Sequence, residues 1–123
     1  MNPAAKSTPS GYAKLADALE RFTGKGLGIG SVFNPYTCEM CAMGAALQAV
    51  GYRFEPLDDV RITCTRPNGN IVEDRYQEFT EVFGVPFEDV YSENDSTLDT
   101  ESPAERLERM RKWARTRAGE VQP

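Results

Sequence analysis

The stretch Cys38-Glu39-Met40-Cys41-Ala42-Met43-Gly44-Ala45-Ala46-Leu47-Gln48-Ala49-Val50-Gly51 decides the fold class. Its centre is apolar nearly all round, the pattern of a helix buried in the middle of a domain. The spacing predicts a helix over Cys38–Val50, with Thr37 as N-cap and Gly51 as the C-terminal stop. Gly44 and Ala45 would let a neighbouring backbone come close.

Working outward, Tyr12, Leu15, Ala16, Leu19 and Phe22 recur at helical spacing and predict a first helix over Gly11–Phe22. A third helix is expected over Glu73–Phe83, with Tyr76, Phe79, Val82 and Phe83 on one side and Gly84 and Pro86 ending it. The last helix starts at Ser102-Pro103-Ala104-Glu105, a capping box with proline at the first helical position. Leu107, Met110, Trp113 and Ala114 form its inward face. Val60–Thr65 is β-branched and weakly alternating, Arg66-Pro67-Asn68-Gly69-Asn70 is a turn signal, and Ile71-Val72 supplies a return strand. Pro86–Glu101 reads as a polar, acidic loop. The expected fold is therefore mainly α, a compact bundle of about four helices with one short β-hairpin at residues 60–72. Residues 1–10 are expected to be a flexible N-terminal tail, 11–118 a single helical domain, and 119–123 a C-terminal tail.

The chain has 123 residues, one ordinary domain, and 40% of them are apolar, enough for one core without disulfide or metal staples. A net charge of −5 disfavours direct nucleic-acid binding, which is driven by Lys and Arg. No apolar run approaches the length of a membrane span, and Met1–Ser10 lacks the apolar region of a signal peptide. With an odd count of three cysteines, the expected compartment is a reducing cytoplasm. The chain contains no histidine, which excludes Ser-His-Asp triads, Cys-His pairs and HExxH metal sites.

Three local patterns invite chemistry. Gly24-Lys25-Gly26-Leu27-Gly28-Ile29-Gly30 lacks the Gly-Lys-Ser/Thr ending of a phosphate loop and the strand that precedes a dinucleotide loop, so it is expected to be a flexible connection. Cys38-Glu39-Met40-Cys41 has the spacing of a zinc half-site or a redox dithiol. On a helix both thiols would share the first turn, where the dipole lowers a thiol pKa. Cys64 could be a third ligand, but no fourth cysteine exists. The alternative is that Cys41 is a small buried residue and Cys38 only lies at the helix end.

The third pattern is charge segregation. Glu73–Glu108 holds twelve acidic residues against Arg75 and Arg106, whereas Arg109–Arg117 holds five basic residues and no acid. Part of this suits the dipole of the last helix. The remainder, Glu88, Asp89, Glu93, Asp95, Asp99 and Glu101, is the candidate protein-binding surface. Glu93–Glu105 lacks the glycine and terminal glutamate spacing of an EF-hand.

The pattern resembles a small uncharacterised family of bacterial and phage proteins. The resemblance rests on the Leu15–Leu19 helix with its glycine loop, Cys41-Ala42-Met43-Gly44-Ala45, Phe83-Gly84-Val85, and Glu93-Asn94-Asp95-Ser96 ahead of a closing helix. It covers about two-thirds of the chain. It departs at 52–70, which reads as an insertion, and at Glu93, where an aromatic residue is expected. It implies a compact helical fold and no particular chemistry.

These observations lead to an accessory or regulatory protein that binds another protein bearing a basic surface, phage-encoded inhibition of a host or defence protein being one form of it. No nucleophile, base and oxyanion site come together, so an enzyme is the less favoured class, and no cofactor is expected. The rival reading is a metal-binding or thiol-redox protein using Cys38, Cys41 and Cys64. Phe54, Val85, Phe87, Val90 and Tyr91 are the candidates for a self-association face, through which the chain would form a homodimer.

Overall fold

A computed structural model describes residues 9–28, 33–34, 39–57, 61–97 and 100–119. The elements run α1 (Pro9–Arg21), β1 (Phe33–Asn34), β2 (Glu39–Met40), α2 (Ala42–Ala49), β3 (Arg53–Pro56), β4 (Ile62–Thr65), α3 (Arg75–Phe83), α4 (Phe87–Asn94) and α5 (Pro103–Arg117). The architecture is mainly α with a small antiparallel hairpin. Among the described residues, no helix is long and apolar enough to cross a membrane.

The apolar stripe of α1 is the organising surface. Tyr12, Leu15, Ala16, Ala18, Leu19 and Phe22 are buried, and α1 packs against α5, α2 and α3. Ala42 through Leu47 of α2 are all buried, as its all-round apolar character requires. Phe79 and Phe83 of α3, Val90 of α4, and Leu107, Met110 and Ala114 of α5 complete the core.

Helix ends leave orphan carbonyls and amides, and cations from neighbouring helices satisfy much of this demand. Lys14 donates to Val82 O at the end of α3 (2.7 Å). Arg109 donates to Glu93 O and Asn94 O at the end of α4 (2.8 and 3.1 Å). Arg111 donates to Leu19 O and Phe22 O at the end of α1 (3.0 and 3.2 Å). Each places positive charge at the negative pole of a helix dipole. The basic run of α5 is thereby largely absorbed into the fold. Arg115 pairs with Glu20 and Asp17 of α1, and Arg117 lies over the rings of Tyr12 and Trp113 at 5.1 and 5.2 Å.

The structure corrects four expectations. First, α2 begins at Ala42, not Cys38. Glu39–Met40 is extended and pairs with Phe33–Asn34, and Cys41 occupies the N-cap position with ψ −179°. Thr37 and Cys38 lie outside the described residues. Second, Pro86–Glu101 is not a loop throughout, because Phe87–Asn94 forms α4, a fifth helix. Its acids Glu88 and Asp89 favour the positive end of a helix dipole, and the Phe87 amide donates to Thr80 Oγ1 (3.2 Å). Third, the main partner of β4 is β3, with Phe54 opposite Cys64, whereas the expected return strand contributes a single bridge, Thr65 to Ile71. The turn itself forms as read, with Gly69 at φ +96°.

Fourth, the glycine segment is packed in its described part. Leu27 is buried, its amide donates to Pro103 O (3.0 Å), and the Gly28 amide donates to Met40 O (2.8 Å). A Cβ on Gly26 would lie 2.4 Å from the backbone carbon of Pro103, so only glycine permits this approach. Residues 1–8 and 120–123, the bulk of the two expected tails, lie outside the described residues.

Candidate functional site

The six acids singled out from sequence fall into different environments. Arg109 gathers two of them. Its Nη1 donates to Glu93 Oε2 (2.7 Å), while its Nε and Nη2 donate to the two oxygens of Glu101 (2.7 and 3.1 Å). The Thr97 hydroxyl adds a bond to Glu101 (2.6 Å). The Arg109 guanidinium, helped by Thr97, holds the Glu101 carboxyl below its ordinary value against the opposing effect of burial. Asp95 Oδ1 accepts from Asn94 Nδ2 (2.8 Å). Asp89 is half-buried and accepts weakly from the Tyr12 hydroxyl at 3.4 Å. Glu88 is exposed and has no hydrogen-bond or ion-pair partner among the described residues. Asp99 lies outside the described residues.

The row of acids is thus split. Glu93 and Glu101 tie the end of α4 to α5, a structural duty, and Glu88 remains facing solvent. Arg106, fully inside the fold, works beside them. Its Nη1 donates to Leu27 O (2.9 Å), Nη2 donates to Glu101 O (3.3 Å), and Nε lies 3.6 Å from the Glu101 carboxylate.

Asn94 is the residue that sequence reasoning quoted without giving it a role. It is completely buried. Its Oδ1 accepts from the Ala42 amide (2.9 Å), and its Nδ2 donates to Gly28 O (3.0 Å). It therefore caps α2 from a distant segment, where Cys41 supplies no side-chain cap. With Pro86–Glu101 read as a loop, nothing local marks this role; only α4, which sets Asn94 four residues after buried Val90, brings it inside.

Cys41 and Cys64 are buried free thiols. Burial pushes Cys41 up to about 11, although the first amides of α2 pull the other way. Burial likewise pushes Cys64 to about 11, against the pull of Arg75. The expected lowering by a shared first helical turn is therefore reversed for Cys41, since desolvation outweighs the helix end. Among the described residues, no group of three or more Cys, Asp or Glu side chains is placed to hold a metal.

The glycine segment borders a concavity of about 680 Å³ lined by Phe22, Lys25, Met40, Gln48 and Pro103. The adjoining start of α5 is already capped reciprocally. Ser102 Oγ accepts from the Glu105 amide (3.1 Å), and Glu105 Oε1 accepts from the Ser102 amide (2.9 Å). A carboxylate thus occupies the place an anion would take.

On the outer side of α3 and α4, three rings run in line. Tyr76 and Phe87 have centroids 5.2 Å apart, and Phe87 and Tyr91 stack at 6.1 Å with 24° between planes. Tyr76 is 36% and Tyr91 40% exposed, so this is an aromatic surface and not core. Of the residues considered for self-association, Phe54, Val85 and Val90 are buried, which leaves Tyr91 exposed and Phe87 partly covered. No family model, curated protein or solved structure matches the chain.

Proposed function

We propose that the protein is a small acidic accessory or regulatory protein that acts by binding a basic surface on another protein, with a phage-encoded inhibitor of a host or defence protein as its specific form. The observation that carries this reading is Glu88, an exposed helical carboxylate with no partner among the described residues, on a helix whose first turn is acidic. Charge of this kind speeds encounter and selects partners more than it adds affinity. Exposed Glu81 and Glu88 on α3 and α4, set against Arg109 and Arg111 of α5, which are engaged within the fold, support an acidic outer side.

Exchange between tagged wild type and Glu88→Lys tests it, with proteins captured from bacterial extract at low and high salt. A partner released by both the reversal and by salt meets the expectation. Capture that is indifferent to both rules out this face.

The cysteine reading has less support. Two of its three residues are buried thiols with raised pKa values, and thiolate chemistry requires the opposite.

A further inference from the structure

We propose that the Tyr76–Phe87–Tyr91 strip on α3 and α4 is a docking surface for an arginine-rich segment of another protein. This rests on the protein-binding reading and specifies the partner's chemistry.

Isolated exposed apolar residues are ordinary. Here three rings are contiguous, and two of them, Tyr76 and Tyr91, are among the few large apolar side chains that the described residues expose. Phe87 lies between the two tyrosines in ring contact with each, and the two-torsion tyrosine side chain loses little freedom on binding. An exposed carboxylate lies beside the strip: Glu88 is three residues before Tyr91 within α4, a neighbouring position on the helix surface.

Flat ring faces beside a carboxylate suit the guanidinium group. It stacks on aromatic faces and makes forked hydrogen bonds to carboxylates, whereas an ammonium offers only a point charge. A second copy of the chain fits poorly, because each copy carries −5 and Arg109 and Arg111 are engaged within the fold.

The test is calorimetric titration of the full chain at low salt with an oligo-arginine peptide and an oligo-lysine peptide of equal length. The arginine peptide is expected to bind roughly fivefold to tenfold more tightly, about what one or two exposed ring contacts supply. Tyr91→Leu should remove most of that preference and leave lysine binding nearly unchanged. Tyr76→Leu, on a different helix, should do the same and guards against a local folding defect in either variant. Glu88→Gln should weaken both peptides.

Equal affinity for the two peptides, with both tyrosine variants silent while Glu88→Gln weakens binding, overturns the aromatic strip and leaves the acidic face standing. Failure of both peptides to bind, or indifference of both to Glu88→Gln together with silent tyrosine variants, overturns both. Concentration-dependent dimerisation lost in Tyr91→Leu would instead assign the strip to self-association and overturn the proposal.

Discussion

Replacing Asn94 by alanine should cost far more than its place in an acidic segment suggests. The amide bonds to the Ala42 N–H at 2.9 Å and to Gly28 O at 3.0 Å, from a fully buried position. Truncation orphans a buried donor at the start of α2 and an acceptor in the glycine segment. Each orphaned buried group costs about 1–3 kcal/mol, the acceptor less because Gly28 is only partly covered. The expected total is about 3 kcal/mol, a large share of the roughly 5–15 kcal/mol that holds a domain together. In urea, followed by Trp113 fluorescence, the midpoint should fall by about 1–3 M with an unchanged slope. Asn94→Asp separates the two roles. It keeps an acceptor for Ala42 but loses the donor to Gly28 O and faces Asp95 (2.8 Å in the native pair). Its deficit should therefore grow as pH rises through the carboxylate range. A loss below about 1 kcal/mol for Asn94→Ala would refute the capping role, since it is smaller than one orphaned group should cost.

Other consequences can be measured on the same material. Gly26→Ala should destabilise more than Gly84→Ala by thermal melting: at Gly26 the new carbon meets Pro103 backbone, while at Gly84 the space is empty and only φ +70° is strained. Equal losses would contradict the close approach. Cys41 and Cys64 should resist iodoacetamide at neutral pH in the folded protein and react on unfolding, as read by peptide mass mapping. Native labelling of either would show that it is not buried. The Glu78 carboxyl is held down by Arg66 (2.9 Å), and its bond from the Tyr52 hydroxyl (2.5 Å) acts in the same direction. A lowered native pKa means stability is present above the ordinary value of 4.5 and is lost as pH falls through the native value. The Glu78→Gln melting temperature should therefore fall less steeply than that of wild type below pH 4.5, and parallel curves would contradict this.

What was legible in the sequence was what short-range chemistry decides. The α5 start was readable because Ser102, Pro103 and Glu105 interact with their own helix end. The buried character of Ala42–Leu47 was readable because no face of that helix is polar. What failed depends on distant partners. Met40-Cys41 are as apolar as the helix that follows, so nothing local marks the change from strand to helix; the strand is made by pairing with Phe33–Asn34. Helix α4 has Pro86 at its N-cap position and the Gly84 stop just before, so its start reads as the end of α3. The segregation of acids is a property of the sequence itself, whereas the partner of Glu93 and Glu101, Arg109 on α5, lies too far along the chain to be read from it.

The most direct measurement of the functional reading is backbone and ring-proton NMR of the full chain during titration with the oligo-arginine peptide. The account predicts salt-sensitive shifts confined to Tyr76, Phe87, Glu88 and Tyr91, with the Arg109–Glu93–Glu101 cluster unmoved. Shifts centred on Glu93–Glu101 or on the α1–α5 side, or no shifts at all, would contradict it.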